Sequence, residues 1–84
     1  MATVSELDAA LIASLSGRWT KVAMVLGRAA KAPGLTFGED DDAYEVLEER
    51  LVHLVASGAV QAEGDLTQWR FSEVRLPTVD GDTL

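Results

Sequence analysis

The densest cluster of ionisable side chains is Glu39-Asp40-Asp41-Asp42, four adjacent carboxylates that could offer oxygen ligands to calcium or magnesium. An EF-hand loop alternates its ligands around a central glycine and ends on a glutamate at about the twelfth position. Gly38-Glu39-Asp40-Asp41-Asp42-Ala43 has no such layout, so the run reads as helix-capping charge, with Asp42 and Glu45 at capping-box spacing. His53 is the chain's one histidine, and a transition-metal site needs a further His or Cys that the chain does not have. As a general base it needs a positioned partner, and Glu49, four residues earlier, offers only a surface pair. With no cysteine there is no thiol nucleophile, and Gly34 and Gly38 fit no phosphate-binding pattern. These residues predict no enzyme: no catalytic group, no cofactor, no metal and no evident small-molecule site.

The elements that carry these residues are marked by periodicity. An 84-residue chain holds one core. Helix 1 is expected after Ser5 as N-cap, with Leu7, Leu11, Ile12 and Leu15 on one stripe and Gly17 closing it. Helix 2 is expected from about Arg18 to Ala32, with Trp19, Val22, Ala23, Leu26, Ala29 and Ala30 inward and Arg18, Lys21, Arg28 and Lys31 outward. Met24 and Val25 then fall among the cations, on the wet face. Leu35 and Phe37 should tuck a connection, 33–41, onto the core. Helix 3 is expected from Asp42 to Ser57, with Ala43, Tyr44, Leu47, Leu51, Leu54 and Val55 inward, Glu45, Glu48, Glu49 and His53 outward, and Gly58 as its stop.

The last third changes to a period of two. Residues 59–63 read as a strand, 64–67 as a turn and 68–76 as a second strand. Trp69 and Phe71 have the opposite parity to Val74 and Leu76, so a bulge near Ser72-Glu73 is expected to bring both pairs to the core. Residues 1–5 and 78–84 are expected as flexible tails around one domain at 6–77. Three helices followed by a C-terminal β-hairpin predict an α+β, winged-helix-like fold.

Gly17-Arg18-Trp19-Thr20-Lys21-Val22-Ala23-Met24-Val25-Leu26-Gly27, Arg50-Leu51-Val52-His53-Leu54-Val55-Ala56-Ser57-Gly58 and the hairpin from Glu63-Gly64-Asp65-Leu66 to Glu73-Val74-Arg75-Leu76 resemble a bacterial family. That family is catalogued as domain of unknown function 3658. The likeness covers most of residues 7–77 and implies no activity.

Charge directs the functional expectation. The net charge is −7, and Ala9 to Gly38 carries four basic and no acidic residues while Glu39 to Glu49 carries seven acidic ones. A third helix presenting Glu45, Glu48 and Glu49 opposes entry into a DNA groove. The expected function is protein–protein interaction, as a homodimer or with a regulatory partner, through Arg18, Lys21, Met24, Val25, Arg28, Glu45 and Glu49, with Val46 and Val52 flanking the acidic face. Against it stands mutual neutralisation of the two charged regions inside one fold. A DNA-binding regulator using helix 2 and the wing is the alternative, and requires Arg18, Lys21, Arg28 and Arg70 to be exposed together. No basic leader and no apolar run longer than Ala9–Ala13 is present, so a cytoplasmic protein with no membrane contact is expected.

Overall fold

Thr3 opens the first helix, two residues ahead of Ser5. Its hydroxyl accepts from the Glu6 N–H (3.1 Å) while the Glu6 carboxylate accepts from the Thr3 N–H (2.8 Å), a reciprocal capping box; Asp8, three residues after Ser5, is bonded to Arg50 instead. The computed structural model describes residues 3–38 and 42–77. Residues 3–5 therefore belong to the folded unit and not to a tail, whereas 1–2 and 78–84, also assigned to tails, lie outside the described residues. Helix α1 spans Val4–Ala13 and buries Leu7, Ala10 and Leu11.

The segment expected to start helix 2 is extended. Thr20–Lys21 form a strand, β1, and α2 spans only Val22–Ala30. The wheel consequently starts at Val22, and the buried stripe is Val22, Val25, Leu26 and Ala29. At about 100° per residue these four sit at i, i+3, i+4 and i+7. Val25 is thus fully buried, contrary to its expected place on the wet face, and Trp19 is a half-exposed residue before β1 and no part of the helix core face. The reason is not local: Thr20 and Lys21 pair with Val74 and Glu73, far along the chain, which leaves Trp19 outside the helix.

Helix α3 spans Ala43–Ala56, and Asp42 caps it by accepting from the N–H groups of Tyr44 (3.0 Å) and Glu45 (3.3 Å). It ends as expected at Gly58, whose φ is +87°; the N–H groups of Gly58 and Ala59 return to the carbonyls of Val55 and Leu54 in a Schellman pattern. Asp8 on α1 takes both Nε and Nη2 of Arg50 on α3, at 2.9 and 3.0 Å, and so fixes how the two helices lie together.

Strands β2 (Gln61–Glu63) and β3 (Glu73–Arg75) complete an antiparallel sheet in the order β1-β3-β2. Thr20, Val74 and Ala62 align across it on the core side, with Val74 fully buried. Lys21, Glu73 and Glu63 align on the other face in register, with no ion pair between Lys21 and either carboxylate. Arg75 lies over the Trp19 ring, 4.5 Å from its centroid, and donates to Gln61 Oε1 at 2.7 Å. Three helices with this small sheet make the α+β, winged-helix-like architecture, and β1 between α1 and α2 supplies the third strand. Leu35 and Phe37 pack on the core as expected.

The second strand is three residues long, not nine. Residues 68–72 turn instead of pairing, so the parity conflict is resolved by a turn and not by a bulge, and Phe71 points to solvent while Trp69 packs against the core. Gly64 allows the chain to fold back: its φ is +87°, and a Cβ there would stand 3.0 Å from the Phe71 carbonyl oxygen. Gly58 has the same φ and an empty surround. Alanine at either position costs about 1–2 kcal/mol in backbone strain. Gly64→Ala is expected to lose about 1 kcal/mol or more beyond Gly58→Ala from the backbone clash, measured by urea unfolding; equal losses would contradict the packing of the turn.

Candidate partner-binding surface

The expected site residues separate into one buried member and six exposed ones. Val25 is in the core, fully buried. Arg18 precedes β1, Lys21 ends β1 as the N-cap residue of α2, and Met24 and Arg28 follow on α2; all four are exposed, Met24 by 51%. Glu45 and Glu49 are exposed one turn apart on α3, with Val52 (43% exposed) continuing the stripe. Val46, expected beside it, is instead partly buried against the core. Of the acidic run only Asp42 is described; Glu39, Asp40 and Asp41 lie outside the described residues.

Among the described residues the one ion pair is Arg50–Asp8. Arg18, Lys21, Arg28, Lys31 and Arg70 therefore hold no carboxylate within 4.0 Å there, and Glu45 and Glu49 hold no cation. Lys21 stands opposite Glu73 in the sheet register without a close contact. The cations have not been neutralised by carboxylates of the described fold, which leaves both charged stripes facing solvent.

The residue that joins them is Trp69. Its carbonyl accepts from the Ala23 N–H at 3.0 Å, and the Ser72 carbonyl accepts from the Val22 N–H at 3.0 Å. These are orphan donors of the first turn of α2, where Lys21 provides no side-chain cap. The indole N–H of Trp69 donates to Glu48 Oε2 at 2.7 Å, and its ring packs on Tyr44 with centroids 5.5 Å apart. One residue thereby ties the wing to α2 through its carbonyl and to α3 through its side chain, and Glu48, expected as a free surface acid, is occupied. Ser72, the one buried polar side chain among the described residues, donates from Oγ to the Gln68 carbonyl (2.8 Å) and closes the turn.

This junction and the exposure of Phe71 were not predicted. The signal was present in Gly64-Asp65-Leu66-Thr67: Asp65 Oδ1 accepts from the Thr67 hydroxyl (2.7 Å) and N–H (2.9 Å), a local turn that starts a loop and not a strand. A hollow of about 210 Å³ lies against Thr67, Gln68, Trp69, Arg70 and Phe71. A second, of about 320 Å³, lies between α1 and the α2–α3 connection and is lined almost wholly by small apolar residues. His53 is exposed on α3, and no cluster of three His, Cys, Asp or Glu side chains fit to hold a metal occurs among the described residues. No described helix is long and apolar enough to cross a membrane. No protein-family model, no curated protein and no solved structure matches the chain.

The Thr67 hydroxyl, followed by its N–H, holds the Asp65 carboxyl below its ordinary range. A depressed folded value means that the turn's stabilisation is present above the ordinary Asp range and is lost as pH falls through the lowered value. Thr67→Val keeps the N–H and removes the hydroxyl. Its expected result is an upward move of the Asp65 midpoint in an NMR titration; an unchanged midpoint would show that the hydroxyl is not the cause.

Proposed function

We propose that this chain is a small non-enzymatic module that binds protein, either another copy of itself or a regulatory partner. The observation that carries the reading is Met24, half in water on α2 between exposed Lys21 and Arg28. No carboxylate of the described residues pairs with either cation, and the complementary acids Glu45 and Glu49 are equally unpaired. An apolar centre inside a ring of uncompensated charge is the composition of a contact surface, where the apolar group gives affinity and the charges set register. Catalysis has no support in the one histidine, which hydrogen-bonds no carboxylate among the described residues. The likeness of segments 17–27, 50–58 and 63–76 to domain of unknown function 3658 belongs to this proposal and brings no mechanism with it.

A DNA-binding regulator is the second reading. It is favoured by the bonds from Val22 and Ala23 to the wing, which set the basic start of α2 beside Arg70. Arg18, Lys21, Arg28 and Arg70 are all exposed. Against it stand the acidic stripe of α3 and the net charge of −7.

Met24→Ser is expected to weaken self-association by about tenfold or more in sedimentation experiments, with helix content unchanged by circular dichroism. Association equal to that of the unsubstituted chain would remove α2 from the contact. Titration of labelled duplex DNA at about 50 mM salt should give no anisotropy rise; a rise that fades steeply with salt would favour the second reading.

A further inference from the structure

Phe71 is the most exposed large apolar side chain of the described residues, at 77%. Looseness of the loop does not explain it, because the backbone on either side is tied down. The Trp69 and Ser72 carbonyls accept from α2, the Phe71 N–H donates to the Gln68 carbonyl at 2.9 Å, and Gly64 packs on the Phe71 carbonyl. A fixed turn therefore holds a phenyl ring in water beside an exposed, unpaired Arg70 and over a hollow. An aromatic–arginine pair on a preorganised turn has the character of an interface anchor.

The occupant follows from charge. Trp69, next to both residues, is bonded to Glu48 and stacked on Tyr44, so the cationic turn and the acidic stripe Glu45–Glu49–Val52 are borne by neighbouring elements. A nucleic-acid strand laid on Arg70 would have its phosphates on an element that packs against the acidic α3, in a chain of net charge −7, and would be repelled. A surface that carries both signs side by side is complementary to itself across a two-fold axis, where each half meets its opposite twice. We infer that the wing turn is the anchor of a homodimer, Phe71 seating on the Val52 end of the α3 stripe of a second copy and Arg70 facing its Glu49. This rests on the protein-binding reading and names both its partner and its central contact.

The test is sedimentation equilibrium of the full chain with the substitutions Phe71→Ser, Arg70→Glu and Glu49→Lys. Phe71 touches so little of its own fold that its loss leaves folding intact, so a change reports on association. Each substitution alone is expected to weaken the dimer by about tenfold or more. An equimolar mixture of Arg70→Glu and Glu49→Lys should recover association, because one contact is then reversed in sign and the other is native. A Phe71→Ser chain that associates normally, or a mixture no tighter than its components, overturns the inference. If Met24→Ser dissociates the chain while Phe71→Ser does not, the wing anchor fails and the protein-binding reading stands. If the unsubstituted chain is monomeric at every concentration, the homodimer and self-association fall together.

Discussion

The arrangement of this fold turns on one tryptophan in a loop that is neither helix nor strand. α2 begins abruptly after a two-residue strand, with Lys21 in an extended conformation and no side chain to take up the first N–H groups. Those donors need acceptors, and the carbonyls of Trp69 and Ser72 supply them. The same Trp69 puts its ring on Tyr44 and its indole N–H on Glu48, so satisfying α2 also fixes the wing against α3. Once that junction is made, the short β1 and β3 segments are held close enough to pair, and Phe71 and Arg70 are left facing outward.

How far the sequence reveals this depends on the range of the interaction. The bounds of helix α3 were legible, because Asp42, the apolar spacing and Gly58 are local signals, whereas Val46 on the core and Glu48 bonded to Trp69 depend on tertiary packing. Leu35 and Phe37 on the core, and the overall chain order, were equally readable. The N-terminal cap slipped by two residues because Ser5 and Thr3 are both competent and only the reciprocal bond with Glu6 separates them. The error at Val25 was larger in consequence. Periodicity alone cannot say that Arg18 to Lys21 is extended, since β1 exists only through its pairing with residues distant in the chain. Removing Trp19 from the wheel rotated the buried face and took a proposed contact residue into the core. Parity failed at Phe71 for a related reason: a nine-residue strand was assumed where the Asp65–Thr67 turn begins a loop.

Of the candidate contact residues, six keep their expected exposure, and charge patterning was a better guide to them than amphipathicity. Arg18, Lys21, Arg28, Glu45 and Glu49 are all exposed without an ion pair among the described residues, while Arg50, the one cation on α3, is committed to Asp8. Segregated charge that the described fold does not discharge, together with the exposed Phe71 ring on the wing, is what the proposed association would draw on.

The most direct test of the junction is hydrogen exchange by NMR on the unsubstituted chain and on Glu48→Leu, following the amides of Val22 and Ala23 and the indole N–H of Trp69. All three should be protected in the unsubstituted chain. In Glu48→Leu the indole and the Ala23 amide should quicken together, because one residue serves both bonds. An Ala23 amide that exchanges freely from the outset, or that keeps its protection when the indole loses its own, would contradict the account of Trp69 as the link between α2, α3 and the wing.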